Sequence, residues 1–372
     1  MNDLLHPSSI LDLQHILLIR NESAQAEKNG RLTKSQLNLI YQQQWLKMLV
    51  PAHYGGLEYA LPKTLQLEEA LAWADGSLGW MITLCAGAGW FGGFLDANIA
   101  KKIFRDPKMC IAGSGTVTGI AEKTKNGYII NGEWPNASGS PDATVFTANC
   151  TITQNGKPLK DEKGNGEVLS FLFLKNEVTI GATWNTIGMV ATASNSYKVT
   201  NLTTQEDRAF KINNQDLKIT APLYIYPFLQ LAETTLAVNM SGMALHFIDL
   251  CKTIFDEKRS KKVKSFMLNE HIIQDTLEKY TQRINDARSK FYYAVALSWQ
   301  ASVNSKQIKD AILYKVSFGA FDLAKRAREA VDALYPYCGL VAADKNSEIN
   351  RVWRDLHTAS QHHLLVFGGP VE

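Results

Sequence analysis

The chain has 372 residues, with 39 basic and 36 acidic side chains and a formal net charge of +3. Hydrophobic residues make up 45% and charged residues 20%, a composition that excludes a disordered, collagen-like or coiled-coil chain. The length favours two or three domains, and the small net charge gives no general case for binding nucleic acid.

Residues 1 to about 105 are predicted to be helical. The first segment has Asp3 where a signal peptide carries positive charge, so it is interpreted as an amphipathic helix. Thr33 and Gln36 have the spacing of a capping box at the start of a second helix. Residues 65–73 begin another helix of strong helix formers. We assign residues 1–105 to an N-terminal α-helical domain.

One segment of this domain requires a test for a membrane span. Residues 76–95 carry no charge over twenty positions, which is the length of a transmembrane helix. Six of the twenty are glycines, and Asp75 and Asp96 flank the segment. A buried helix and turn is therefore predicted, without membrane association.

The five cysteines form no CxxC pair, and a reducing cytoplasm is the simplest setting for them.

Residues 106–212 are predicted to form a β domain. Lys125-Asn126-Gly127 lies between two β-rich runs and is typical of a hairpin. Further β-rich runs lie at 144–153, 168–174 and 194–204, and the polar segment 155–166 is predicted to be an exposed hairpin loop.

Residues 213–372 return to a helical pattern. Four long segments are rich in Ala, Leu, Lys, Glu and Gln, at 228–256, 268–303, 307–335 and 347–366. Four such helices with short connections fit an up-and-down bundle. The fold class predicted is therefore α+β, with the β domain between two helical domains.

The glycine-rich run Gly113–Gly119 is a weak phosphate-binding signal. It lacks the GxGxxG spacing and the GK[ST] ending, and no helix is predicted after it. A turn entering the β domain is the favoured local structure, and Gly113 and Ser114 are kept as candidate cofactor-binding residues.

The basic run at 258–264 has five Lys or Arg side chains in seven positions. A solvated loop between helices is the first interpretation. An anchor for the phosphate of a nucleotide cofactor is the sharper one, and nucleic-acid binding comes third.

A histidine cluster near the C-terminus gives no case for a metal site. His357 and His362 are five residues apart, whereas a pair of zinc ligands on one helix face favours i, i+4, and no HExxH motif is present.

Two loops of the β domain combine small hydroxylated residues with an aromatic residue. Trp134 precedes Ser138 at the end of a strand, and Thr192 and Ser194 lie in a second loop. An indole ring gives a flat apolar wall, and hydroxyl groups can bond the edge of a flat heterocycle. A buried strand-end tryptophan followed by a turn is an equally good local interpretation.

Taken in order, the motifs resemble those of the acyl-CoA dehydrogenase superfamily over nearly the whole chain. Residues 49–56 are similar to its VPxxYGG turn, residues 67–80 to the helix after it and residues 127–134 to its GGYxxxGxW hairpin. Residues 188–194 are similar to its GxxxTxS loop. The resemblance implies an N-terminal helical domain, a central β-barrel or β-sandwich and a C-terminal four-helix bundle.

Within the superfamily, residues 351–363 resemble the branch of two-component flavin-dependent monooxygenases. The match places that branch's histidine on His362, seven residues after Asp355, and no glutamate base is present before Glu372. Departures from the pattern occur at Asn136, where phenylalanine is usual, and at Ala193, where glycine is common.

The resemblance implies a flavoprotein that uses reduced FAD or FMN. His362 and Ser138 are the predicted catalytic residues, and no metal is expected. The predicted cofactor-binding residues are Trp134, Ser138, Thr192, Ser194, Gly113 and Ser114. It also implies a separate flavin reductase, a small organic substrate and a homotetramer. Arg354 and Asp355 are interpreted as a structural ion pair.

Two other functions stay open. One is an acyl-CoA dehydrogenase or oxidase whose base lies elsewhere, and the other is a non-catalytic relative that keeps the fold for binding or assembly. Reduction of the flavin by acyl-CoA favours the first, and failure to take up flavin favours the second.

Overall fold

The computed structural model describes residues 4–161, 163–304 and 307–366. Its N-terminal part is helical, as predicted. Asp12 accepts a hydrogen bond from the amide of Gln14 and begins the first helix, and the predicted capping box of Thr33 and Gln36 begins the second. The helices are α1 (Leu13–Asn29), α2 (Lys34–Gln42), α3 (Leu61–Ala74), α4 (Gly76–Gly89) and α5 (Ala97–Phe104).

The uncharged segment forms the buried helix and turn that its composition predicts. Helix α4 is followed by a 3-10 turn, Trp90–Gly93. A Cβ atom on Gly79 would lie 2.5 Å from the Cα of Ala72, so glycine there lets α3 and α4 pack closely. Among the described residues, no helix is both long and apolar enough to cross a bilayer.

The middle of the chain forms one eight-stranded sheet in the order β6-β7-β2-β1-β3-β5-β8, with β4 paired to β3. Its neighbours are antiparallel except β1 and β3. The strands are β1 (Ile111–Thr124), β2 (Gly127–Ala137), β3 (Val145–Gln154), β4 (Lys157–Pro158), β5 (Val168–Leu174), β6 (Thr179–Ile180), β7 (Asn195–Gln205) and β8 (Ala209–Phe210).

The hairpin predicted at residues 125–127 is confirmed, because Thr124 pairs with Gly127. The turn predicted at residues 113–119 is wrong. These residues lie inside β1, and the glycines coincide with shifts in its register with β3. A β-bulge accommodates an extra residue there and keeps the strand continuous.

The C-terminal part contains the predicted long helices, with one difference. The fourth segment, predicted to be continuous over 347–366, ends as a helix at Ala359, and His362 lies in the turn before a last short helix. The helices are α6 (Pro222–Ile225), α7 (Phe228–Ser260), α8 (Lys264–Leu268), α9 (Glu270–Val303), α10 (Asp310–Cys338), α11 (Leu340–Ala343), α12 (Glu348–Ala359) and α13 (His363–Val366).

Helix α7 lies at the centre of the helical part and packs against α3, α10 and α12. A buried ion pair between Glu69 of α3 and Arg288 of α9 also joins the N-terminal helices to the bundle. One continuous hydrophobic core runs through all three predicted domains. We propose the boundaries at 105 and 212 as the points where helical and β structure alternate.

Candidate active site

Three hydroxyl groups from the two predicted loops meet in the structure. The Oγ of Ser138, after β2, lies 2.7 Å from the Oγ of Ser194, which lies 2.7 Å from Oγ1 of Thr192. Thr192 donates to the carbonyl oxygen of Met189 at 2.7 Å. All three hydroxylated residues are buried, at 4% exposure or less. The sequence-predicted residues Ser138, Thr192 and Ser194 therefore form one hydrogen-bonded chain, which we call the hydroxyl chain.

The direction of the hydroxyl chain follows from counting protons. Each hydroxyl has one proton to donate, and a carbonyl oxygen can only accept. Because Thr192 donates to Met189, its bond with Ser194 is donated by Ser194. Ser194 has then used its proton, so Ser138 donates to Ser194. Toward any group bound beside it, the Ser138 hydroxyl therefore offers only an acceptor.

Asp355 holds the loop that carries Thr192 and Ser194. It accepts a hydrogen bond from the amide of Met189, whose carbonyl takes the end of the hydroxyl chain. Asp355 is 2% exposed, and the hydroxyl of Ser77 donates to its other oxygen at 3.5 Å. The sequence did not predict this role of Asp355, because positions 189 and 355 meet only through the tertiary fold.

The ion pair predicted between Arg354 and Asp355 is wrong. Adjacent residues on a helix point about 100° apart, and the two side chains reach different neighbours. Arg354 pairs with Glu27 of α1 and donates to the carbonyl of Ile187 at 2.7 Å. Asp355 faces Gly76 at the start of α4, where a Cβ atom would lie 3.2 Å from its own Cβ.

Burial, followed by the nearby Asp75 carboxylate, raises the pKa of Asp355 to about 7. The Met189 amide and Arg351 oppose this shift, and Glu27 adds to it. The folded protein therefore binds a proton at Asp355 more tightly than the unfolded chain. This group's contribution to stability is present at acidic pH and is lost as pH rises toward and through 7.

Asp355→Asn mimics the protonated carboxyl and keeps an oxygen for the Met189 amide. We expect wild type and variant to unfold alike at about pH 4 and below, where the aspartate of the unfolded chain is also protonated. Near pH 8 the variant should be more stable by about 1–4 kcal/mol, since one pKa unit is worth about 1.4 kcal/mol. Urea unfolding across this pH range measures the difference. Asp332→Asn, at a half-exposed carboxylate, is the control, and equal pH dependence of Asp355→Asn and wild type would contradict the assignment.

His362 lies in the turn between α12 and α13, with its ring against the edge of Trp80 at 6.0 Å between centroids. Burial, followed by the neighbouring His363, lowers its pKa to about 4. The Leu364 amide donates to its Nδ1 at 3.3 Å, so the ring proton of the neutral form sits on Nε2. At neutral pH His362 is therefore an uncharged hydrogen-bond donor.

The two other histidines have different environments. His357 bonds Asp332 at 2.8 Å and the Trp353 carbonyl at 2.7 Å, so both ring nitrogens are occupied. On a continuous helix, His363 would point about 100° away from His362. Because α12 ends before them, the two rings stack at 4.7 Å between centroids.

Helix α4 contacts both parts of the candidate site. Trp80 faces His362, and five residues later Cys85 donates to the Ser138 carbonyl at 3.4 Å. These positions are separated by about 140° around the helix and about 7.5 Å along it. Helix α4 therefore contacts both His362 and the loop that carries Ser138.

The family model for the acyl-CoA dehydrogenase C-terminal domain matches residues 234–367. The indole-3-acetate monooxygenase of Acinetobacter baumannii is 22% identical, over 86% of this chain and 80% of that protein. The flavin-dependent monooxygenase oxygenase subunit HsaA of Mycobacterium tuberculosis is 23% identical, over 92% and 88%.

Solved structures show the same fold over the whole chain. The 3-HSA hydroxylase from Rhodococcus sp. RHA1 has a TM-score of 0.87 and 20% identity, covering 100% of this chain and 99% of that one. XiaF from Streptomyces sp., solved with FADH2 and glycerol, has a TM-score of 0.83 and 19% identity, covering 96% and 92%. The C-terminal third of the chain thus matches the acyl-CoA dehydrogenase family model, and the whole chain has the fold of these solved structures. The predicted resemblance and the predicted fold class are confirmed.

Both departures from the superfamily pattern lie at positive φ. Ala193 has φ 46° and Asn136 has φ 62°. Asparagine adopts this conformation more readily than most residues, whereas alanine is strained where glycine is free. The Ala193 carbonyl accepts from Ser140 at 2.8 Å, and the neighbouring Thr192 carbonyl accepts from the Gly139 amide at 2.7 Å. These bonds between the two loops hold Ala193 in its strained conformation.

The structure does not join Trp134, Gly113 or Ser114 to the hydroxyl chain. Trp134 is fully buried in the sheet, stacks on Tyr197 at 5.4 Å and donates to the Asn149 carbonyl at 2.9 Å. Its indole has no free face, so the predicted wall for a cofactor is corrected to a packing role. Ser114 bonds Thr116 at 2.8 Å within β1.

The basic run is largely occupied by contacts within the protein. Lys258 donates to the carbonyls of Tyr337 and Cys338 at 2.7 and 2.9 Å, and Arg259 pairs with Asp256 and Glu270 at 2.5 Å each. These bonds favour the interpretation as a solvated segment after α7.

Replacing the exposed Lys262 and Lys264 with alanine is therefore expected to leave flavin affinity unchanged at low salt. Anaerobic equilibrium titration with reduced FAD and FMN measures this. A loss of affinity that disappears at high salt would restore the phosphate-anchor hypothesis.

Two other kinds of site were considered, a metal site and a ligand site in a surface cavity. Across the described ranges, no three His, Cys, Asp or Glu side chains come together to hold a metal. A cavity of about 590 Å³ lies on the bundle surface between Lys252 and Gln282, away from the hydroxyl chain. None of the residues that carry the superfamily motifs lines this cavity.

Proposed function

We propose that the protein is the oxygenase component of a two-component flavin-dependent monooxygenase, using reduced flavin and O2 on a small aromatic or amine substrate. The observation that carries this is the direction of the hydroxyl chain. Reduced flavin has an N–H group at N5, whereas oxidised flavin has a bare acceptor there. A Ser138 hydroxyl that can only accept fits the reduced form.

Bound reduced flavin supplies the electrons that activate O2. The chain's own residues would orient it and exclude water. Ser138 would accept a hydrogen bond from its N5–H, because Thr192 and Ser194 keep the Ser138 proton directed away. His362, whose Nδ1 accepts from the Leu364 amide, would donate from Nε2 to an oxygen atom of the bound substrate. Trp80 and the rest of α4, which is almost wholly buried, form a dry wall.

Names of related proteins support the cofactor and the partner. Several relatives are named as flavin-dependent oxygenase subunits or oxygenase components. One structural neighbour was solved with FADH2 and another, TdsC from Paenibacillus, with FMN and indole. We infer that this chain takes FAD or FMN already reduced by a separate flavin reductase.

We also propose a homotetramer in the cytoplasm. Helices α9 and α10 carry large apolar side chains on their outer faces, where Tyr293, Leu297, Tyr314 and Phe318 are 39–59% exposed. Tyr314 and Phe318 stack on each other at 6.3 Å. Patches of this kind mark protein interfaces.

All five cysteines are free thiols, as a reducing compartment favours.

Ser138→Ala tests the role of the hydroxyl chain. We expect the variant to bind reduced flavin about 2- to 10-fold more weakly, the value of one hydrogen bond, with oxidised flavin little affected. Anaerobic and aerobic titrations followed by flavin fluorescence compare the two forms. The control is Ser170→Ala. It removes a hydroxyl of β5 that donates to the side chain of Asn149 in β3. Equal losses for both flavin forms would contradict the proposed selectivity.

An acyl-CoA dehydrogenase remains the second candidate function. Its chemistry requires a carboxylate base facing the substrate. In α12 Asp355 is buried and holds Met189, and Glu348 pairs with His246 at 3.1 Å. Glu372 lies outside the described residues. Anaerobic reduction of bound oxidised flavin by an acyl-CoA would favour this function over oxygenation.

A further inference from the structure

Two cysteines far apart in sequence meet inside the bundle. The sulfur atoms of Cys251 in α7 and Cys338, the last residue of α10, lie 3.4 Å apart. Both residues are at most 1% exposed. The next residues, Gly339 and Leu340, are exposed, so solvent lies one residue beyond Cys338. A small movement of this helix end would therefore open the Cys338 sulfur to solvent.

Lys258 gives the pair a difference in reactivity. Its ammonium caps the end of α10 through the Tyr337 and Cys338 carbonyls. The hydrogen bond from Cys251, together with the Lys258 charge, lowers the pKa of Cys338 below its usual value, although burial opposes this. Burial raises the pKa of Cys251 well above its usual value. Cys338 is therefore the attacking cysteine of the pair, and Cys251 is the resolving cysteine.

Two of the other cysteines, Cys150 and Cys110, have raised thiol pKa values and are less reactive at neutral pH. Burial raises the pKa of Cys150 to about 12. The hydrogen bond with Cys85, followed by burial, raises the pKa of Cys110. Within the basic run, Lys258 is the side chain that binds the helix end beside Cys338.

We propose that Cys251 and Cys338 form a peroxide-sensitive thiol pair that closes to a disulfide between α7 and α10. The Cys338 thiolate attacks one oxygen of hydrogen peroxide, the O–O bond breaks, and the departing hydroxide takes a proton to leave as water. The Cys251 thiol then attacks the resulting sulfenic sulfur. The S–O bond breaks, the S–S bond forms, and a second water leaves with the Cys251 proton.

The overall change converts two thiols and one peroxide into one disulfide and two waters. The peroxide accepts the two electrons that the sulfurs lose. The proposal is independent of the proposed flavin chemistry, because the peroxide is added as a reagent.

The test exposes the intact protein to hydrogen peroxide and follows its thiols by mass spectrometry after unfolding. We expect loss of two hydrogen atoms and a cross-linked peptide pair containing Cys251 and Cys338, both reversed by dithiothreitol. Cys251→Ser should stop at a Cys338 sulfenic acid that dimedone traps. Cys150→Ser is the matched control and should cross-link as wild type does.

Lys258→Met separates a charge effect from packing. Oxidation at pH 7 should slow by about tenfold for each unit by which the thiol pKa rises, and the difference should vanish where both thiols are ionised. Lys258→Arg keeps the charge and should restore the rate. Circular dichroism verifies that each variant is folded. Oxidation of Cys150 in preference to the pair, or reduced Cys251 and Cys338 in peroxide-treated folded wild type, would overturn the proposal.

Discussion

Replacing His362 with alanine is expected to lower product formation by about 10²- to 10³-fold, the usual contribution of one positioned hydrogen-bond donor. Flavin binding should persist, because His362 lies in the turn after α12 and not in the hydroxyl chain. The burial-lowered pKa of about 4 makes the ring neutral at pH 7. The variant should therefore lose a hydrogen-bond donor, and hydrogen peroxide release should rise as hydroxylation falls.

Two further variants sharpen this test. His362→Asn keeps an N–H donor of similar reach and should lose less activity than alanine. His357→Asn should lose little, since His357 is bonded to Asp332 and Trp353 on another side of α12. Product formation and peroxide release are measured together with one substrate. Full coupled turnover in His362→Ala would show that the turn has no catalytic role.

Arg288→Met is expected to destabilise the protein by about 3–5 kcal/mol, the cost of leaving a buried charge without its partner. Arg288 binds both carboxylate oxygens of Glu69, at 2.8 and 2.9 Å, and Tyr292 donates to the same carboxylate at 2.9 Å. Both members of the ion pair are less than 5% exposed. Removing the guanidinium leaves Glu69 charged in a dry environment.

Urea unfolding measures the change in free energy. Arg283→Met is the matched control on the same helix, because Arg283 and Glu329 pair at 3.2 Å with both side chains about a third exposed. It should cost no more than about 1 kcal/mol. Adding Glu69→Leu to Arg288→Met should recover much of the loss. Equal costs for the two arginine variants would contradict the burial argument.

The helices and strands could be predicted from local patterns because each is long and strongly periodic. The hairpin at Asn126-Gly127 and the helices α7, α9 and α10 are read from residues that are neighbours in sequence. The break of the last long helix before His362 was not predicted, because neither glycine nor proline marks positions 360–362.

The interior chemistry depended on contacts that no local pattern contains. Glu68 and Glu69 look like solvent-facing residues of a helix, yet they are 0% and 3% exposed because α3 lies between α4 and α7. Asp355 meets Met189 across 166 positions. The hydroxyl residues were found because each loop has its own signature, and their order of proton donation required the coordinates.

The most direct measurement mixes the anaerobic complex of protein and reduced flavin with oxygenated buffer in a stopped-flow spectrometer. We predict that reduced flavin binds, and that its reoxidation on the protein proceeds through resolved phases that differ from those of free flavin. A substrate that is hydroxylated under these conditions should gain its oxygen atom from labelled O2. Reoxidation identical to that of free flavin, or reduction of bound oxidised flavin by an acyl-CoA without oxygen, would contradict the assignment as an oxygenase.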